Sequence, residues 1–160
     1  MVVLIIGVTA TLVTPRLMDL GEVRMKESMR RFQGTVRYLF NESVFRKQAY
    51  QLHIDIQKGE YWVMTPQVQG DQVEDIAFAN PFVDKRGQFH HSVEIKSVSS
   101  PRHGRRSSGE IVIQFFPHGY VEPATIHLED RHRNRYTLWI QPVTGSVRIL
   151  DGHVEVSRRN

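Results

Sequence analysis

The chain contains no cysteine, which excludes disulfides, thiolate-bound zinc and thiol catalysis together. It also lacks G-x-S-x-G, H-E-x-x-H, Walker A and G-x-G-x-x-G sequences, so the usual nucleophile elbow, zincin helix and phosphate-cradling loops are missing. No internal repeat is visible. No apolar run reaches the roughly 18 residues that mark a membrane span by themselves. No Lys or Arg precedes Val2 and no Ala-x-Ala follows the apolar start, so that start does not read as a cleavable secretory signal. The excess of positive charge is small, +4 over 160 residues. It is spread over an Arg-rich helix, the 102–106 tract and the C-terminal stretch, where a nucleic-acid binder would concentrate it. The length fits one domain with an added segment, ample for a hydrophobic core.

What the chain does have begins at its first residue. Residues 1–13 (MVVLIIGVTATLV) are uncharged and mostly apolar. As a helix they rise about 20 Å, against a hydrocarbon core of about 30 Å. The run reads as the back part of a longer membrane helix, with a buried core helix as the alternative. Pro15 lacks a backbone donor, so either a kink or local unwinding is expected there, or Pro15 opens a separate helix at its first turn. Gly21 adds flexibility nearby.

From Met25 the pattern turns amphipathic. Met25, Met29, Phe32, Val36, Leu39 and Phe40 fall within one arc at about 100° per residue, a stripe suited to covering a sheet. Lys26, Arg30, Arg31, Gln33, Arg37, Asn41 and Glu42 occupy the other face, and the helix is expected to end near Lys47. The period then shifts to two: Tyr50, Leu52, Ile54 and Ile56 alternate with polar residues, and Lys58-Gly59 turns into Glu60–Met64. Further strands are expected at Val93–Val98, Ile111–Phe116, Thr125–Leu128, Tyr136–Gln141, Ser146–Leu150 and His153–Val156. Short strands joined by Gly and Pro turns imply antiparallel sheet. The fold class is therefore α+β, one long N-terminal helix packed on an antiparallel body. It divides into a membrane or filament helix at 1–21 and a globular domain at 22–160, comprising helix 22–47 and β-rich body 49–156. The 66–92 stretch reads as a long irregular excursion and 101–109 as a solvated loop.

Candidate chemistry is sparse. His90-His91 with His103 is the best metal reading, but adjacent strand residues face opposite ways, and solvated loop histidines are the expectation. Glu129-Asp130 with Arg131–Arg135 reads as a charged hairpin loop. Trp62 is expected in the core, and Trp139 on the opposite sheet face, where it would serve as an interface residue.

An apolar helix, a proline at its far end, an amphipathic continuation and a β-rich body together resemble the type IV pilin superfamily. Within it, the chain resembles the H-type minor pseudopilins of bacterial type II secretion. The residues that carry this are VVLIIGVTATLVTPRL at 2–17, the helix through Val44, IVIQFFPHGYVEPATIHLED at 111–130 and YTLWIQPVTGSVRI at 136–149. Phe116-Pro117-His118-Gly119 and Thr144-Gly145 match the family's turns. The family's basic leader, the methylated Phe after its cleavage point and an early Glu are absent, so the front of the helix is expected to be truncated. Restoring it would bring the apolar run to about twenty residues.

The resemblance implies a non-enzymatic subunit without cofactor or metal. It would sit in the bacterial inner membrane by one span, with its body in the periplasm, although a bare count of Arg16, Arg24 and Lys26 would place the body in the cytoplasm. Val2, Leu4, Ile5, Ile6, Val8, Leu12, Val13 and Pro15 would form the membrane and filament helix. Its partners would be other pseudopilins and inner-membrane secretion components, with no small-molecule substrate and no nucleic acid. The alternative is a type IV pilus minor pilin acting in pilus assembly or DNA uptake through Arg102, Arg105, Arg106, Arg158 and Arg159.

Overall fold

The computed structural model describes the backbone of residues 2–69, 71–78, 80 and 86–156, and the side chains of all of these except 2–20, 68 and 69. Among the described residues, one helix, α1 (Val2–Arg46), precedes eleven strands. The helix runs through Pro15 and Gly21 without interruption, so of the two alternatives neither local unwinding at Pro15 nor a separate helix opening there occurs. It stops where Lys47 takes a left-handed conformation (φ 55°), with Gln48 N–H donating back to the Ser43 carbonyl at 3.2 Å. No helix among the described residues is long and apolar enough to cross a membrane.

Two antiparallel sheets follow. The first has the order β3 (Gln72–Ala77), β2 (Glu60–Gln69), β1 (Tyr50–Asp55), β7 (Glu110–Phe116), β8 (Tyr120–Val121), with β4 (Gly87–Gln88) also paired to β2. The second has the order β11 (Val147–Asp151), β10 (Arg135–Ile140), β9 (Ala124–Asp130), β5 (Val93–Ser100), β6 (Gly104–Arg106). The fold is α+β, one N-terminal helix against antiparallel sheets.

Three expected features are corrected. The 66–92 stretch is not irregular throughout: β2 continues to Gln69 and pairs with β3 from Gln69↔Gln72 to Met64↔Ala77. Every side chain of β3 is exposed, so no apolar alternation marked it. Likewise the basic tract holds β6, an exposed edge strand paired with β5 from Val98↔Arg106 to Ser100↔Gly104. Residues 153–156 form no strand.

The inward faces of both sheets and one face of α1 share a single core. Met25, Met29, Phe32, Val36 and Leu39 are fully buried in it, and Phe40 is half-buried against it. Phe32 meets Tyr61 edge-on at 5.2 Å and Phe89 at 5.4 Å between ring centroids. Polar contacts link the helix to each sheet: Ser43 Oγ, which donates to the Phe40 carbonyl at 2.8 Å, lies 3.4 Å from the Phe116 carbonyl, and Gln33 Nε2 donates to the Val147 carbonyl at 2.6 Å. In the turn before β11, Gly145 has φ +61° and a Cβ there would overlap the Phe40 ring, so this place requires glycine twice over. In β5 the register shifts between Ile95 and Ser97, a bulge whose extra residue returns Val98 to the core.

Because Phe32 is fully enclosed, Phe32→Ala should lower unfolding free energy by about 3–5 kcal/mol, measured by chemical denaturation. A loss under about 1 kcal/mol would show that the helix contributes little to this core.

Candidate interaction surfaces

The alternation that buries one face of each strand leaves the other free, and the outer faces and loop ends are where this chain can meet others. On the first sheet's outer face, Trp62 is half-buried, opposite in parity to core residues Tyr61 and Val63. The expectation of a core Trp62 is thus corrected. Its ring stacks on His53 at 5.5 Å, and the Arg86 guanidinium lies 4.6 Å from its centroid. Arg86 also pairs with Glu60 at 2.7 Å, and His53 Nδ1 with Glu110 at 2.5 Å. Beyond them the β2–β3 arm exposes Val73, at 68%, and Ile76.

On the second sheet, Trp139 is half-buried on the face away from Leu138 and Ile140, in register with Arg148. Beside it runs a feature that the sequence did not announce. The segment after β11 crosses the outer face: Thr137 Oγ1 donates to the Gly152 carbonyl at 2.7 Å and accepts from Val154 N–H at 3.0 Å. The His153 ring then stacks on His127 at 3.6 Å, and His127 Nδ1 lies 3.1 Å from Thr137 Oγ1. Covered in this way, His127 is 4% exposed although it points away from the core. Burial first, then the positive potential of His153 and Arg105, lowers its pKa to about 4.

Of the basic candidates, Arg102, Arg105 and Arg106 lie together on the β5–β6 hairpin. Arg105 pairs with Glu155 at 3.0 Å and contacts His153 at 3.3 Å; Arg102 lies 3.9 Å from Glu122; Arg106 is exposed on β6. Arg158 and Arg159 lie outside the described residues. The apolar residues Val2, Leu4, Ile5, Ile6, Val8, Leu12, Val13 and Pro15 are helical in backbone, and their side chains lie outside the described ones. His90 and His91 have ring centroids 4.0 Å apart, whereas His103 lies in the β5–β6 turn. Among the described residues no group of three or more His, Asp or Glu is arranged to hold a metal.

The overall fold, not these side chains, is what known structures share with this chain. The minor pseudopilin EpsH from the type II secretion system of Vibrio cholerae matches with a TM-score of 0.63 at 10% identity, over 82% of this chain and 97% of that one. This chain has a minor pseudopilin fold. The solution structure of E. coli GspH matches at a TM-score of 0.57 and 11% identity, over 86% and 93% of the two chains. The Pseudomonas aeruginosa type IV minor pilin FimU matches at 0.50 and 10%, over 82% and 90%. By sequence, the chain matches no family model and no protein of established function. In this pseudopilin fold the strap over His127 lies on the outer surface of the second sheet.

The strap carries a pH dependence. His127 stays neutral in the folded state, whereas in the unfolded chain it protonates near its ordinary value of 6.5. The unfolded state therefore binds more protons as pH falls from about 6.5 towards 4, and stability drops over that window while remaining complete above it. Urea midpoints should fall more steeply between pH 7 and pH 4 in the native sequence than in His127→Gln; equal slopes would contradict this.

Proposed function

We propose that this chain is a minor pseudopilin of a type II secretion system, a non-enzymatic subunit that helps to assemble or cap a short periplasmic pseudopilus used to export folded proteins. The observation that carries this reading is the division of labour along one continuous helix. Its C-terminal half is part of the body's core, while its N-terminal end is the apolar run Val2–Val13. A subunit built in this way can be held in the inner membrane by the apolar end with its body in the periplasm. It can then pack the same apolar side chains against neighbouring helices in a filament. Likeness to EpsH and GspH, which come from such systems or bear their subunit's name, supports the same assignment. The expected partners are other pseudopilins and inner-membrane secretion components, contacted through the helix and through outer-face residues such as Trp139.

A second reading, a type IV pilus minor pilin, has the likeness to FimU in its favour. Its DNA-uptake form has less support, because Arg105 is already engaged by Glu155 and Arg102 faces Glu122.

Deleting the gene in its native bacterium separates these readings. Loss of extracellular enzymes from the medium, with surface pili and DNA uptake intact, is the expected outcome, and plasmid-borne wild type should restore secretion. Normal secretion in the deletion strain would overturn the proposal, and loss of pili or transformation alongside it would favour the second reading.

A further inference from the structure

Where α1 enters the body, the β9–β10 turn folds against it. A Cβ on Gly21 would stand 3.2 Å from the His132 ring, so helix and turn are in close apposition. Between them lies a recess of about 240 Å³ whose walls include Arg24, His91, Asp130, Arg131 and His132. A water molecule occupies about 30 Å³ of liquid, so a side-chain carboxylate fits here with water around it. Arg24 and Arg131 form no ion pair among the described residues, whereas Lys26 and Arg135, just outside, are paired with Glu22 and Glu129. The one carboxylate in the walls, Asp130, is occupied by its own turn. Its Oδ1 accepts from the His132 and Asn134 N–H groups, and Oδ2 from Asn134 Nδ2, all at 2.8 Å. Glu27, the nearest helix carboxylate beyond Arg24, is paired with Arg31. The recess is therefore a socket of positive charge whose two arginines are uncommitted.

The complementary charge stands at the other end of the body. β1 begins just after α1 stops and ends near the recess. There the Gly59 carbonyl of the β1–β2 turn accepts from Phe89 N–H at 2.9 Å, and His90 N–H donates to Ser28 Oγ at 3.0 Å. β2 runs back from that turn, leaves the β1 ladder after Gln51↔Met64, and continues to Gln69 with β3 as its strand partner. At about 3.3 Å per residue, residues 65–69 carry the β2–β3 arm about 16 Å past that ladder. Asp71, Glu74 and Asp75 are exposed on this arm and form no ion pair among the described residues. Val73 and Asp75 share one face of β3, and Asp71 lies in the turn just before it.

We infer that the recess is a docking site for the β2–β3 arm of a second copy of this chain, with Asp71 and Asp75 of the arm entering between Arg24 and Arg131. Socket and arm have opposite charge, and each is left unbalanced within its own molecule. They also lie at opposite ends of the body, so the arm of one copy meets the socket of the next and not its own. Such a contact is heterologous: every copy offers one of each, and copies add in one direction, as in an open filament. Arm against arm, or socket against socket, brings like charges together, so the pairing also fixes polarity. The contact is between bodies and does not require the apolar end of α1, so it goes beyond the secretion reading and stands or falls apart from it.

Sedimentation velocity of the full chain in dodecyl maltoside micelles tests this with paired charge reversals. The wild type should self-associate. Arg24→Glu/Arg131→Glu and Asp71→Arg/Asp75→Arg should each weaken association about tenfold or more, the least that a close interfacial charge pair is worth. So should about 0.5 M salt, where the Debye length is about 4 Å. The fourfold variant that combines both reversals exchanges the two charges without changing their sum, and it should recover wild-type association. Arg37→Glu/Arg106→Glu, an equal charge change at exposed sites elsewhere, should associate like the wild type. Association that survives both paired reversals overturns the inference, because it would then arise from another surface such as the apolar end of α1. Failure of the fourfold variant to recover also overturns it. A wild-type chain that stays monomeric overturns it too, and would leave the recess to an acidic partner other than a second copy.

Discussion

One face of one helix closes the core. Met25, Met29, Phe32, Val36 and Leu39 are each enclosed to within 1%, and enclosing a side chain of this size is worth about 1.5–3 kcal/mol. The two sheets have separate hydrogen-bond ladders, and the helix reaches both, through Phe32–Tyr61 and Ser43–Phe116 on one side and Gln33–Val147 and Phe40–Gly145 on the other. The helical stripe and the inward alternation of the strands are thus complementary halves of one core. The same helix carries the apolar N-terminal end, so whatever positions that end also positions the body.

That dependence explains which parts were legible in the sequence. The stripe from Met25 to Phe40 and the alternation of Tyr50–Ile56 and Ile111–Phe116 are periodic because burial is one-sided there, and the fold class follows from them. The β2–β3 arm was missed for the complementary reason: β3 is exposed at every position, so no burial imposes a period, and Pro66 and Gly70 read as loop signals. Basic β6 is similar, an edge strand exposed at every position. Trp62 was legible and misread; it alternates with Tyr61 and Val63, and parity outweighed its size. His127 also showed its outward parity, between Ile126 and Leu128, but its cover comes from His153 and Val154, a non-local contact that no local pattern records. The continuity of α1 through Pro15 was not legible either, because proline alone permits a kink, a break or a first turn.

Functionally, the molecule's resources lie in surfaces. No constellation of nucleophile, base and electrophile is brought together among the described residues. The surface instead divides into regions of distinct chemistry: a polar-aromatic face around Trp62, an arm with exposed Val73 and Ile76, a strapped face beside Trp139, and a basic recess where the helix enters. Each of these regions offers a different chemistry for contact.

The central claim is that helix and sheets form one cooperative unit, and native-state hydrogen exchange under increasing denaturant tests it most directly. The amides of Met29–Leu39 should converge on the same opening free energy, with the same denaturant dependence, as those of β1, β7, β9 and β10. Helix amides that exchange through a separate, lower-energy opening while both sheets stay protected would contradict the account, because the helix would then be an attachment to a body that holds without it.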